Sequence, residues 1–130
     1  MSRVTSEEVE RAIYDASVLS IREPLEEVLK ANHLLADFAA LGDSGLRGLL
    51  TDLPTMCVEI QQHRQWAKNA SLRPKESDLY DWGYVATTSC HCDVVVTEKQ
   101  LADMLSRDGF KTYAVVVSRL EDLLPHIAPG

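Results

Sequence analysis

No apolar run in the sequence approaches the ~18 consecutive residues that a membrane-spanning helix needs. The opening Met-Ser-Arg-Val-Thr-Ser-Glu-Glu also lacks the apolar core of a signal peptide. Cysteine is scarce: Cys57, Cys90 and Cys92 are an odd count without a paired framework, which points to a reducing, cytoplasmic location. Basic residues are outnumbered, 13 Lys and Arg against 20 Asp and Glu, for a net charge of −7. That balance argues against a general nucleic-acid coat, which carries a net basic surface. No P-loop, Rossmann glycine pattern, Gly-x-Ser-x-Gly elbow or two-His zinc motif occurs. What is present is an ordinary soluble mixture, 45% apolar and 25% charged, which rules out disorder and low complexity. The 130 residues make one domain's worth of chain, long enough for a core without metal or disulfide staples.

The first part of the chain, 1–53, reads as helix. Thr5 and Glu8 have capping-box spacing, and Val9, Ala12, Ile13 and Ala16 recur at helical intervals. Pro24 interrupts this pattern and is expected to open a second helix, in which Leu25, Val28, Leu29, Leu35 and Phe38 share a face. Gly42-Asp43-Ser44-Gly45 is a break, with Gly42 suited to a C-terminal cap and Asp43 or Ser44 to the next N-cap. A short helix over Leu46, Leu49 and Leu50 follows. Pro54 starts another, carrying Met56, Cys57 and Ile60 inward and ending near Asn69.

The second part, 54–130, changes character after residue 70. Ser77 or Asp78 can cap a helix through Leu79, Trp82, Val85 and Ala86. Asp93-Val94-Val95-Val96 is a short β-branched run, and Thr97-Glu98 places an N-cap and an acid before a helix with Leu101, Met104 and Leu105. That helix ends at Asp108-Gly109, a second apolar run covers Tyr113–Val117, and Ser118 with Glu121 has the spacing to restart a helix. The pattern is β-α-β, and strands this apolar belong in a parallel sheet covered on both faces. The fold class is therefore α/β, one domain with a mostly helical N-terminal part and a small parallel sheet.

Two strands leave unpaired edges, and no third strand is evident upstream. A homodimer, or a partner that donates a strand, is expected to supply the missing pairing. Light scattering checks this: a stable species near 14.5 kDa at all concentrations would exclude the dimer.

Asp78-Leu79-Tyr80-Asp81-Trp82-Gly83-Tyr84, followed by Cys92-Asp93-Val94-Val95-Val96-Thr97-Glu98-Lys99, resembles the C-terminal half of a PIN-like nuclease. The resemblance covers roughly residues 54 to 117. It rests on a helix-borne Asp81, a hydrophobic strand ending in Thr97 sixteen residues later, and the acid Glu98 after it. It implies a metal-dependent ribonuclease in which Asp81, Glu98 and Asp93 hold Mg²⁺ or Mn²⁺ and Asp78 assists Asp81 and Glu98 in catalysis. Glu59, on the helix after Pro54, matches the family's second acid. The chain departs from the family in lacking the opening strand and its Asp, so the resemblance implies a truncated copy or one completed by another polypeptide. Carboxylates suit such chemistry because hard divalent cations take oxygen ligands, and a metal-bound water can attack a phosphodiester.

Each candidate also has a plainer role. Asp78 and Glu98 fit favourable charge at helix N-termini, and Glu59 fits a solvated helix face. Arg64, Lys68, Arg73 and Lys75, with His63 and Trp66, fall in a stretch from Ile60 to Lys75 without an acid. They could hold an RNA backbone beside the acids, or form the outer face of a helix and its loop. Cys90-His91-Cys92 is a poor match to zinc-site spacing, and Cys57 and Cys92 read as small core residues. The competing function is a non-catalytic protein–protein interaction module that pairs through its sheet edge.

Overall fold

The computed structural model describes residues 3–69 and 71–127. The chain forms two compact units, one up to Cys57 and one from Val58 onward. Among the described residues no helix is long and apolar enough to cross a membrane.

The first unit is helical: α1 (Ser6–Ala31), α2 (Leu35–Ala39) and α3 (Gly42–Asp52). The expected capping box opens α1, with Glu8 N–H donating to Thr5 Oγ1 at 3.2 Å and Thr5 N–H to Glu8 Oε2 at 2.7 Å. Pro24 does not divide the helix; α1 runs through it. A proline inside a helix withdraws one donor, here the one owed to the Ser20 carbonyl, and Ser20 lies on an exposed turn. The break falls instead at Asn32–Leu34. There Leu34 N–H donates to the Leu29 carbonyl and His33 N–H to the Lys30 carbonyl. His33 has φ 57°, the left-handed position that usually goes to glycine in this end motif. Leu35 and Phe38 therefore belong to a separate helix from Leu25 and Leu29.

Gly42 is not the C-terminal cap expected of it: Ala40 ends α2, and Gly42 opens α3 at φ 66°, a conformation glycine adopts without strain. Neither Asp43 nor Ser44 caps α3. The residue before the helix, Leu41, is already helical (φ −64°, ψ −31°), so the extended backbone that side-chain capping needs is missing.

The helix α4 (Pro54–Lys68) carries the chain into the second unit. There follow α5 (Glu76–His91), β1 (Val94–Val96), α6 (Lys99–Ser106), a 3-10 turn at Arg107–Gly109, β2 (Val115–Val117) and a 3-10 segment at Leu120–His126. The strands pair in parallel, with Val94, Val95 and Val96 opposite Val115, Val116 and Val117. The expected β-α-β unit is thus present in a mostly helical α/β chain. Neither Ser77 nor Asp78 is the N-cap of α5. The helix begins at Glu76, and Asp78 Oδ2 reaches back to accept from Lys75 N–H at 2.7 Å. After β2, the Ser118–Glu121 capping box is absent. Pro125 has no N–H to give the Glu121 carbonyl an α-helical bond, and the segment winds as 3-10 instead.

One core fills this unit: Val58 of α4, Leu72, Trp82, Val85 and Ala86 of α5, and Leu101, Met104 and Leu105 of α6, with Val116 of β2 packed against them. A polar stripe along α4 ties it to α5 and to the end of α6. Gln61 Nε2 donates to the carbonyls of Met104 and Arg107 (3.0 and 3.2 Å), which closes the end of α6. Gln62 Nε2 donates to the Trp82 carbonyl at 3.1 Å, and Gln65 Nε2 to Asp108 Oδ2 at 2.8 Å. All three glutamines are buried, and among the described residues no buried side-chain polar atom lacks a partner. Cys92 is exposed at the end of α5, contrary to its expected place in the core. Cys90, two residues earlier on the helix, packs against the core, and Cys57 is half-buried.

Candidate functional site

The four acids of the expected metal site come from three places. Asp78 and Asp81 lie on the first turns of α5, Asp93 precedes β1, and Glu98 precedes α6. Asp78 is half-buried and committed to the Lys75 N–H, whereas Asp81, Asp93 and Glu98 are exposed. Glu98 makes no side-chain bond to the start of α6. Asp93 and Glu98 flank the strand: at ~3.3 Å per residue, roughly 13 Å of extended chain separates Asp93 from Thr97, with Glu98 one residue further. Ions of this size bind oxygens at about 2.0–2.6 Å, which requires ligands from one end of the strand. Among the described residues no three His, Cys, Asp or Glu side chains come together as a group that could hold a metal ion.

The basic stretch is partly taken up by the fold. Lys68 Nζ lies 2.6 Å from Asp108 Oδ2, joining the end of α4 to the turn after α6. Asp108 sits at φ 56°, a conformation that Asp tolerates better than most residues. The hydrogen bond from Lys68, then that from Gln65, holds its carboxyl below the ordinary carboxylate range. Its contribution is present above the unfolded carboxylate pKa and is lost as pH falls through the lowered folded value. Arg64 is half-buried, Arg73 Nη1 donates to the Leu72 carbonyl at 3.1 Å, and Lys75 is exposed. Trp66 packs edge-on against Trp82, with centroids 5.6 Å apart at 90°, so its ring serves the core.

Glu59 is half-buried on α4, and burial pushes its carboxyl above the ordinary carboxylate range, with His63 opposing the shift. The folded chain therefore holds this proton more tightly than the unfolded chain, and stability is lost as pH rises through the raised folded value. Glu59→Gln is expected to stabilise the chain at neutral pH by less than about 1 kcal/mol, since solvent screens a half-exposed charge. Below the carboxylate range the two proteins should unfold together. Urea unfolding at both pH values checks this, and a variant less stable at neutral pH would mean that a cation holds the Glu59 charge.

The sheet edges are the feature that two strands make inevitable. In a parallel pair, alternate residues bond across the ladder. Val115 N–H donates to the Asp93 carbonyl and Thr97 N–H to the Val117 carbonyl, both at 2.9 Å, so Asp93, Val95 and Thr97 turn their main chains toward β2. Val94 and Val96 turn theirs to the far side of β1, as Val116 does on β2. Among the described residues, none of these three N–H groups has a backbone acceptor. Ala114, on the same side of its strand as Val116, is satisfied by the Ser89 carbonyl at 2.9 Å. One face of the sheet is also open: Val95 is buried on the core side, while Val96 and Val115 on the opposite face are 42% and 39% exposed. In the first unit, Val18, Leu19, Leu25, Leu35 and Phe38 line an open apolar groove of 470 Å³ along α1 and α2.

The unpaired edges follow from counting two strands in the sequence, whereas nothing in the polar stretch of α4 marks Gln61, Gln62 and Gln65 as buried. Compared with known proteins, the chain matches no family model, no curated protein and no solved structure.

Proposed function

We propose that this chain is a protein-interaction module that accepts a strand from a partner at its sheet edge. One observation carries the reading: the main-chain groups of Val94, Val96 and Val116 point away from the two-stranded ladder and have no backbone acceptor among the described residues. A two-stranded sheet is marginal by itself, and an added strand supplies both backbone bonds and side-chain cover. The exposed Val96 and Val115 beside those groups favour the same role.

Amide hydrogen exchange on the purified chain tests it. Val94, Val96 and Val116 should exchange fast while Val95 and Val117, bonded within the ladder, are protected. Equal protection of all five at the lowest concentrations would mean the edges are already covered, and the reading would fail. A PIN-like ribonuclease dependent on Mg²⁺ or Mn²⁺ predicts something different. It requires cleavage of single-stranded RNA with Mn²⁺ that disappears in Asp81→Asn, and that result would replace the interaction reading.

A further inference from the structure

We infer that the partner strand seats in the groove beside β2, and that it is an extended segment of another protein carrying Lys or Arg. The inference rests on the reading of the chain as a strand-accepting module and adds which edge is used and by what chemistry.

The groove holds 470 Å³. Val116, Val117 and Ser118 form its floor, Asp103 stands on the α6 side, and Glu121 and Asp122 stand on the 3-10 side. Among the described residues its lining takes Val116 and Val117 from β2 and none from β1, so a strand seated in it would meet β2, where the Val116 main chain is free of the ladder. The three floor residues span ~10 Å, enough to pair with a short extended segment between two walls. Side chains of such a segment alternate, so neighbouring positions address opposite walls.

The walls choose the partner. Three carboxylates line the groove, with His126 beside them, and no Lys or Arg does among the described residues. Asp103 is paired with Lys99 at 2.8 Å, and Arg119 lies 3.6 Å from Glu121 and 3.9 Å from Asp122. Those pairs are exposed and their cations stand outside the groove, so they are weak and exchange readily for a ligand's cation. A second copy of this chain meeting the edge across a two-fold axis would set these acids against their own copies. Like charges across a paired edge are destabilising, and the occupant is accordingly a foreign, basic segment.

The test uses an acetylated, amidated peptide alternating Val and Lys, its Val/Glu counterpart, and two versions of the Lys peptide N-methylated at alternate sets of residues. Fluorescence anisotropy should show binding of the Lys peptide, weakening as salt rises, and none of the Glu peptide. One N-methylated version should lose binding and the other keep it. Amide shifts should centre on Val116 and Ser118. The variant Asp103→Asn/Glu121→Gln/Asp122→Asn should bind about tenfold more weakly. If that variant unfolds, the salt dependence and shift map of the wild-type chain decide. Equal binding of the Glu peptide, unchanged affinity in a folded variant, or no binding of any peptide would overturn the inference. Shifts centred on Val94 and Val96 would overturn it while leaving strand acceptance standing. Undiminished binding of both N-methylated versions would refute strand acceptance itself.

Discussion

Trp82→Ala is expected to remove about 3–5 kcal/mol from the second unit, the usual cost of emptying a buried aromatic site. Trp82 is 4% exposed and belongs to the cluster that joins α4, α5 and α6. Its ring meets Trp66 edge-on at 5.6 Å and His63 at 6.4 Å with an interplanar angle of 87°. Such aromatic pairs add roughly 0.5–1.5 kcal/mol beyond the area they bury. Against a typical domain stability of about 5–15 kcal/mol, this loss is a large share. Urea unfolding followed by far-ultraviolet circular dichroism measures it, with Trp82→Phe as the milder comparison. A Trp82→Ala midpoint within error of wild type would mean that the ring does not hold the three helices together.

Trp82 was legible as a core residue because it recurs with Val85 and Ala86 at helical spacing. The same spacing misleads at Leu79, which is 44% exposed. Position relative to a helix axis can be read from sequence, but the width of the face that neighbours cover cannot. The β-α-β unit was legible for a firmer reason: two triple-valine runs flank a helix that is followed by Asp108-Gly109, a turn pair in which both residues take positive φ. The break after α1 carried no such signal, because His33 fills the position where glycine would have marked it. Pro24 gave a signal that the fold overrides, since one lost helix bond on an exposed turn is tolerable within a long helix.

For the candidate site, individual acids could be read but their convergence could not. Asp93 and Glu98 look adjacent in sequence, yet an extended strand carries them apart. The opposite holds for Asp103 and Glu121, far apart in sequence and lining one groove because α6 and the 3-10 segment both pack on β2. Strand edges fall between these cases. Counting strands predicts that edges exist, while only the register says which main-chain groups face outward.

The buried glutamines were the least legible feature, and Gln62 gives the second large effect. Its side chain is 1% exposed and donates to the Trp82 carbonyl from within the core. Gln62→Glu keeps the shape, removes the donor and sets a buried charge against a carbonyl oxygen. An uncompensated buried charge of this kind costs about 3–5 kcal/mol at neutral pH. Gln62→Met removes the donor without adding charge. The Trp82 carbonyl keeps its place in the helical ladder, so the loss should be nearer the ~1 kcal/mol of one net hydrogen bond. Desolvation raises the folded pKa of the introduced carboxyl above its unfolded value. Its penalty is thus absent below the ordinary carboxylate range and sets in as pH rises through the folded value. Once protonated, the acid can again donate to the Trp82 carbonyl. The expected order at neutral pH is wild type, then Gln62→Met, then Gln62→Glu. In acid, Gln62→Glu should draw level with Gln62→Met or pass it. Urea midpoints at the two pH values measure both orders. If Gln62→Glu matched Gln62→Met at neutral pH, water would have to reach position 62, and α4 could not pack on α5 through this amide.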